Sequence, residues 1–434
     1  MNSREALDRT LLISRTLLGH EPLTDDEVLN QLTSTRVALI ADERNLATIS
    51  GQSALVTLAC LLLAQGVSLV LVMPDVQIVG HQPPLEGQAL RAGLIHLAAD
   101  SIPGCTAEVA QAWPEADLIF VLGNSATPYA SGLAWRLIGG EWWGGTVAAT
   151  DPAPTWTCAL PVGAGVAAAV ASIEVYKHAL RRAVLNLGLV PAIPELLEPT
   201  RKATFSFGGG APAWTGLDLG KVDFISGGAI NTAALHVLHR IPNLTMRGRV
   251  VEPDTLDISN LNRYPLARRR DVGQLKAEAL TQWNTDRVEI IGVVTRYSEK
   301  TQDTLAPLAP RVIVGTDDVK ARWLVQRQWP AWLGVGATAD FLTLTSEHRP
   351  GDPCAGCIHP VDDDVNVPIP TLSTVSYWAG LLLAGRLLRA AYGLRYPSIQ
   401  QALNLWPLRM DLATSVLWQP VHRHPRCPVE SSAA

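Results

Sequence analysis

Short apolar runs alternate with longer mixed segments along this chain, and they do so twice. In the first half, Val37–Ala41 (VALIA) predicts a strand, Ser53–Ala64 a buried helix and Val67–Met73 (VSLVLVM) a second strand. A later run, Asp117–Asn124 (DLIFVLGN), predicts a strand that ends in polar residues. In the second half, Val222–Ser226 (VDFIS) predicts a strand, Thr232–His239 a helix and Arg247–Pro253 (RGRVVEP) the next strand. Two more strands are expected at Val288–Val294 and Arg311–Asp318. Runs that are apolar throughout, rather than at every second position, suit parallel strands covered on both faces. Alternation of strands and helices at these lengths predicts an α/β chain of two tandem, Rossmann-like, doubly wound domains. The Gly- and Pro-rich stretch Thr204–Thr215 marks the division, giving a first domain at 1–203, a linker at 204–216 and a second domain at 217–434.

One run imitates a membrane span. Ala54–Met73 carries no charge over a length that would cross a bilayer. Gln65-Gly66 divides it into a Leu/Ala-rich half and a Val-rich half, the pattern of a buried helix, a glycine cap and a buried strand. The expectation is a protein without membrane segments. The N-terminus has no basic region leading into an apolar core, so no secretory signal is expected. Hydrophobic residues make up 47% of the 434 positions and charged ones 17%, which suits a compact protein rather than a disordered one. A net charge of −5 argues against a broad nucleic-acid surface, which needs a basic face. Six scattered cysteines do not make a disulfide scaffold, so a reducing, cytoplasmic compartment is expected.

The halves differ in the chemistry they carry. In the second half the loop Ser226–Thr232 (SGGAINT) joins strand to helix, and Gly227 and Gly228 allow a phosphate to approach backbone N–H groups. The next strand ends in Glu252-Pro253-Asp254, where a carboxylate meets a ribose. A dinucleotide-dependent oxidoreductase would explain this much. It has no use for Asn260 and Arg263 in Asp257–Arg263 (DISNLNR), nor for Lys276 in an expected helix over Val272–Trp283. Arg and Lys at this spacing neutralise a polyphosphate and stabilise charge developing during transfer. Asp317, in GTDDVKAR, closes a strand where Mg²⁺ with a nucleotide would be met. The triple arginine Arg268–Arg270 reads as a solvated basic patch. The first half has no such residues at matching spacing, so it reads as a supporting partner.

The series SGGAINT, EPD, SNLNR, DVGQLKAE and GTDDVKAR, in order across Val222–Arg322, resembles the adenylation domain of ThiF/MoeB-like and ubiquitin-activating enzymes. The resemblance implies ATP and Mg²⁺ as cofactors and adenylation of a protein's C-terminal glycine with release of pyrophosphate. It implies Asn260, Arg263 and Lys276 on the phosphates, Glu252 or Asp254 on the ribose, and Asp317 on the metal. It implies a degenerate first domain fused to an active second one, and an arginine lent by the first domain's N-terminal helix: Arg15, with Arg9 as second choice. The partners implied are a ubiquitin-like or sulfur-carrier protein ending in glycine and a conjugating enzyme. Peptide modification and a non-catalytic nucleotide-binding scaffold are the rivals, and the oligomeric state stays open. Departures from the family pattern are Ala229 and Asn231 at two glycine positions and Tyr264 in place of Gln.

Cys354 and Cys357 are spaced like His424 and Cys427, and two such pairs close a tetrahedral zinc site. The resemblance makes His424 a substituted cysteine. The competing readings make Cys354 or Cys357 the nucleophile that takes the activated carboxyl as a thioester, or the two a plain structural pair. Cys158 reads as a buried small hydrophobe, and Trp135–Gly145 as packing or docking surface.

Overall fold

The computed structural model describes residues 2–19, 22–111, 115–126, 133–191, 193–362, 369–395 and 401–429. Part of the segment between the Cys354–Cys357 pair and the last long helix, Asp363–Pro368, lies outside them. The first sheet holds β1 (Arg36–Ile40), β2 (Ser68–Val72), β3 (Ala107–Val109), β4 (Leu118–Leu122), β5 (Leu133–Gly139), β6 (Trp143–Ala148) and β7 (Ala203–Ser206). Its order is β3-β2-β1-β4-β5-β6-β7. The second holds β8 (Leu217–Ile225), β9 (Leu244–Val251), β10 (Val288–Val293), β11 (Arg311–Val314), β12 (Trp332–Ala339), β13 (Leu342–His348), β14 (Gln401–Leu405) and β15 (Val416–Pro420). Its order is β10-β9-β8-β11-β12-β13-β14-β15. Counted from β1 and from β8, the two orders coincide, with the reversal between β1 and β4 repeated between β8 and β11. Such a reversal opens a crevice at the carboxyl ends of the strands.

The sheets are parallel only in part. β5 to β6 and β12 to β13 turn antiparallel, and so do the strands beyond them. The reason is local: Gly140–Trp142 and Asp340–Phe341 are too short for a crossover helix, so each connection is a hairpin. The Gly/Pro-rich stretch therefore begins as a strand, since Ala203–Ser206 pairs with β6. The uncharged run divides as expected, into the helix Ile49–Leu63 and β2. The helix starts before the apolar pattern because Thr48 caps it, its Oγ1 accepting the Gly51 N–H at 3.0 Å. Among the described residues, no helix is long and apolar enough to cross a membrane. The helix expected over Val272–Trp283 is shorter. Gly273 takes φ +95, which ends any helix there, so the α-helix is Lys276–Ala279, followed by a 3₁₀ turn at Leu280–Trp283.

One hydrophobic core runs through both halves. The helices Ile49–Leu63 and Val162–Asn186 pack together, as do Ala229–Leu238 and Ser373–Ala391, and the two long helices meet across the seam. There the Ser172 and Thr374 hydroxyls lie 2.7 Å apart. Arg268 lies buried between the two halves rather than in a solvated patch, and its two neighbours, more open to solvent, also bond to the first half. Arg268 is buried, lies 4.7 Å over the Trp283 ring, and pairs with Asp271 and with Glu86 of the first half. Arg270 pairs with Glu86 and Asp100, and the Arg269 N–H donates to the Asp100 carbonyl at 2.7 Å. Partners distant in sequence explain why a charge run read alone misleads.

Candidate functional site

In the loop after β8, Ser226 takes φ +85, a left-handed conformation that costs a non-glycine residue on the order of 1–3 kcal/mol. The surrounding bonds hold it. The Glu252 carboxylate accepts the Gly227 N–H at 2.7 Å and the Ser226 hydroxyl at 3.1 Å with one oxygen, and the Asp254 N–H at 2.9 Å with the other. Ser226 Oγ accepts the Gly228 N–H at 2.9 Å. Asn231 Nδ2 donates to the carbonyls of Ile225 and Ser226. The amides of Gly227 and Gly228, expected to face a phosphate, are thus engaged by the protein. Glu252, 4% exposed, braces the loop, while the Asp254 side chain stays open at 54%.

The Asp257–Arg263 loop is locked by its own side chains. The Asp257 carboxylate accepts the Ser259 N–H at 2.8 Å, and Asn260 Oδ1 accepts the Asp257 N–H at 3.0 Å. Arg263 donates from Nη1 to the Ser259 carbonyl and, at 2.7 Å, to Asn262 Oδ1. Burial lowers the Arg263 pKa from its usual value, against the pull of Tyr264. Lys276 donates to Asp254 at 3.2 Å. Burial pulls its pKa down, but Tyr264, Glu252 and Asp254 together outweigh burial and leave it raised. Past β11, Asp317 is exposed, Asp318 caps the helix Val319–Arg327, and Arg322 donates twice to the Thr316 carbonyl.

These residues line one cleft with two connected arms. The smaller, about 560 Å³, is lined by Asn260, Arg263, Lys276, Arg322 and Asp317, together with Arg9 from the first half. The larger, about 860 Å³, runs past Tyr297 and His359. Ser226, Glu252, Asp254, Thr316 and Asp317 line both. Four cations face one arm and carboxylates sit where the arms join, an arrangement that can hold a polyphosphate and its metal.

The N-terminal helix corrects one expectation. Arg15 points to solvent, 65% exposed, and pairs with Asp25. Arg9, about 9 Å nearer the helix start, is the arginine in the cleft. Sequence reasoning does not single out Arg322 or Tyr264 as site residues. Their signals are present: Arg322 stands one helical turn after the Asp318 cap, and Tyr264 directly succeeds Arg263.

Cys354, Cys357 and Cys427 come together, buried, with their sulfurs within 4.8 Å of one another. His424 is not among them; its Nδ1 accepts the Arg426 N–H at 3.2 Å. Three buried thiols fit a zinc ion in donor type and spacing but complete only three of its four positions. Cys158 is half-buried against the core, and burial raises its thiol pKa.

Residues 246–429 match the model of the ThiF family. The chain is similar to the uncharacterized protein y4jF of Sinorhizobium fredii, 28% identical over 225 residues, which cover 51% of this chain and 43% of that protein. It is also similar to the NEDD8-activating enzyme E1 catalytic subunit of Dictyostelium discoideum, 37% identical over 92 residues, or 19% of this chain and 21% of that one. The chain thus spans less than half the length of these curated relatives. Among solved structures it is similar to E. coli MccB with ATP, at 17% identity and a TM-score of 0.40 over 48% of this chain and 66% of that one.

Proposed function

We propose that the cleft binds ATP and that the chain adenylates the C-terminal carboxylate of a ubiquitin-like protein. The observation that carries this reading is the smaller arm: Arg9, Arg263, Lys276 and Arg322 converge on it, with Asp317 at its mouth. The substrate carboxylate attacks the α-phosphorus, the bond to the β-phosphate bridging oxygen breaks, and pyrophosphate leaves with that electron pair. Arg263 and Lys276 hold the phosphates and offset the charge that gathers on the leaving group. Arg9 reaches the same group from the first half, Asn260 supports the phosphates, and Asp254 rather than the engaged Glu252 takes the ribose. Asp317 would hold Mg²⁺, whose charge offsets that of the phosphates. Transfer would follow by attack of a cysteine thiolate of the conjugating enzyme on the adenylate carbonyl: the carbon–sulfur bond forms, the acyl–phosphate bond breaks and AMP leaves with its electron pair. Zinc on Cys354, Cys357 and Cys427 would tie the C-terminal segment to the body; their burial argues against Cys357 as the nucleophile, which needs access.

A second reading, a nucleotide-binding scaffold without catalysis, draws on the engaged amides of Gly227 and Gly228. ATP–pyrophosphate exchange decides between them, run with ubiquitin-like proteins, sulfur carriers and short peptides as candidate acceptors. Acceptor-dependent exchange is expected, falling about 100- to 1,000-fold in Arg263→Ala or Asp317→Ala with the fold intact. Arg9→Ala should lower it and Arg15→Ala leave it unchanged. ATP binding without exchange for any acceptor would favour the scaffold.

A further inference from the structure

A series of hydrogen-bonded side chains, meeting at Thr10, leads from the first half to Arg263. On the helix Val162–Asn186, Tyr176 is wholly buried, and its hydroxyl lies 2.8 Å from Ser14 Oγ of the N-terminal helix Asp8–Leu18. Ser14 donates in turn to the Thr10 carbonyl at 2.7 Å, so the Tyr176 hydroxyl is the donor in the first bond. Thr10, 0% exposed, accepts from Asn262 Nδ2 at 2.9 Å with its hydroxyl, Oγ1. Asn262 is also 0% exposed, and its Oδ1 accepts from Arg263 Nη1 at 2.7 Å.

An amide has one donor end and one acceptor end. Arg263 can only donate, so it takes the Oδ1 end, and the Thr10 hydroxyl accepts from the Nδ2 end that is left and holds the amide against the guanidinium. Turning the amide over would set two donors against each other at Arg263, beside the wholly buried Asn262. Thr10 also adjoins Arg9, so the contact that fixes Asn262 fixes the helix that brings a second cation to the cleft.

We infer that Thr10 and Asn262 are positioning residues, through which the first half sets the direction of Arg263 in the triphosphate arm. This rests on the nucleotide reading of the cleft. Neither residue touches the cleft itself, so both act through the arginines.

The test uses the full chain and calorimetric titration with ATP and with adenosine. Thr10→Val removes the hydroxyl at constant shape. It should weaken ATP about five- to tenfold, the scale of one oriented hydrogen bond, and leave adenosine unchanged. Thr10→Ser, which keeps the hydroxyl, should restore ATP binding, and Asn262→Ala should copy Thr10→Val. In an Arg263→Ala background, Thr10→Val should have much less further effect, because its route to the phosphates is gone. A general loss of structure would instead weaken both ligands alike and persist in that background, and either result overturns the positioning role. Wild-type protein that binds ATP while Thr10→Val and Asn262→Ala bind it equally well overturns the positioning role alone. Wild-type protein that binds no ATP overturns the nucleotide reading and this inference with it.

Discussion

The carboxyl ends of the two sheets share a frame and use it in opposite ways. In each, an asparagine just past the first strand presses its Oδ1 against the glycine that closes the fourth. A Cβ on Gly123 would meet Asn45 Oδ1 at 2.6 Å, and one on Gly315 would meet Asn231 Oδ1 at 2.7 Å. In the first half the polar groups there are spent on one another. Asn45 Nδ2 donates to Asp42 and Asn124, and its Oδ1 accepts the Trp156 N–H at 2.9 Å. Trp156 is 1% exposed and fills the space beside them, while Arg136 donates to the carbonyls of Gly123 and Ser125. In the second half the corresponding space is a cleft, and Arg263, Lys276, Arg322 and Asp317 line it. One frame holds a plug and the other a cleft. What the first half retains is reach: Arg9 enters the cleft, and Thr10 holds the loop behind Arg263.

The largest effect that would sharpen this contrast concerns the cysteines, since the metal-like cluster found among the described residues belongs to the second half. With zinc bound, about one ion per chain is expected. Cys354→Ser and Cys427→Ser should each lose it and lower stability by several kcal/mol, because metal binding contributes to folding. Wild-type protein that holds no zinc, with both variants as stable as it by urea melts, contradicts the staple. His424→Ala should change neither quantity, as His424 stands outside the trio.

A smaller effect tests the seam. Arg268→Ala leaves Asp271 buried without its ion pair and Glu86 without one of its two. Stripping a partner from a buried pair costs about 3 kcal/mol or more. Glu86→Ala should cost less, since Glu86 is 56% exposed and such pairs are worth about 1 kcal/mol at most. Equal costs in a urea melt would return the arginines to the role of a surface patch.

Much of this is legible in the sequence, for reasons that differ by residue. The strands and the order SGGAINT to GTDDVKAR are local patterns, and local patterns survive folding. Asn260 and Arg263 line one cleft because the loop carrying them closes on itself through Asp257 and Asn260, and Lys276 joins them through its bond to Asp254. The failures are long-range. Nothing near Arg268 announces Glu86, and nothing in the N-terminal helix tells Arg9 from Arg15 until Asp25 claims the latter. Glu252 reads as open to a ribose because its hold on the Gly227 amide spans two strands and leaves no local mark. His424 has the spacing of a ligand but not the position.

That one half works and the other supports it is tested most directly by counting nucleotides. Calorimetric titration of the full chain with ATP should give one site, weakened many-fold but still measurable in Arg263→Ala and unchanged in Asn45→Ala. Two sites per chain, or one site that Arg263→Ala leaves at full strength and Asn45→Ala removes, would contradict the account.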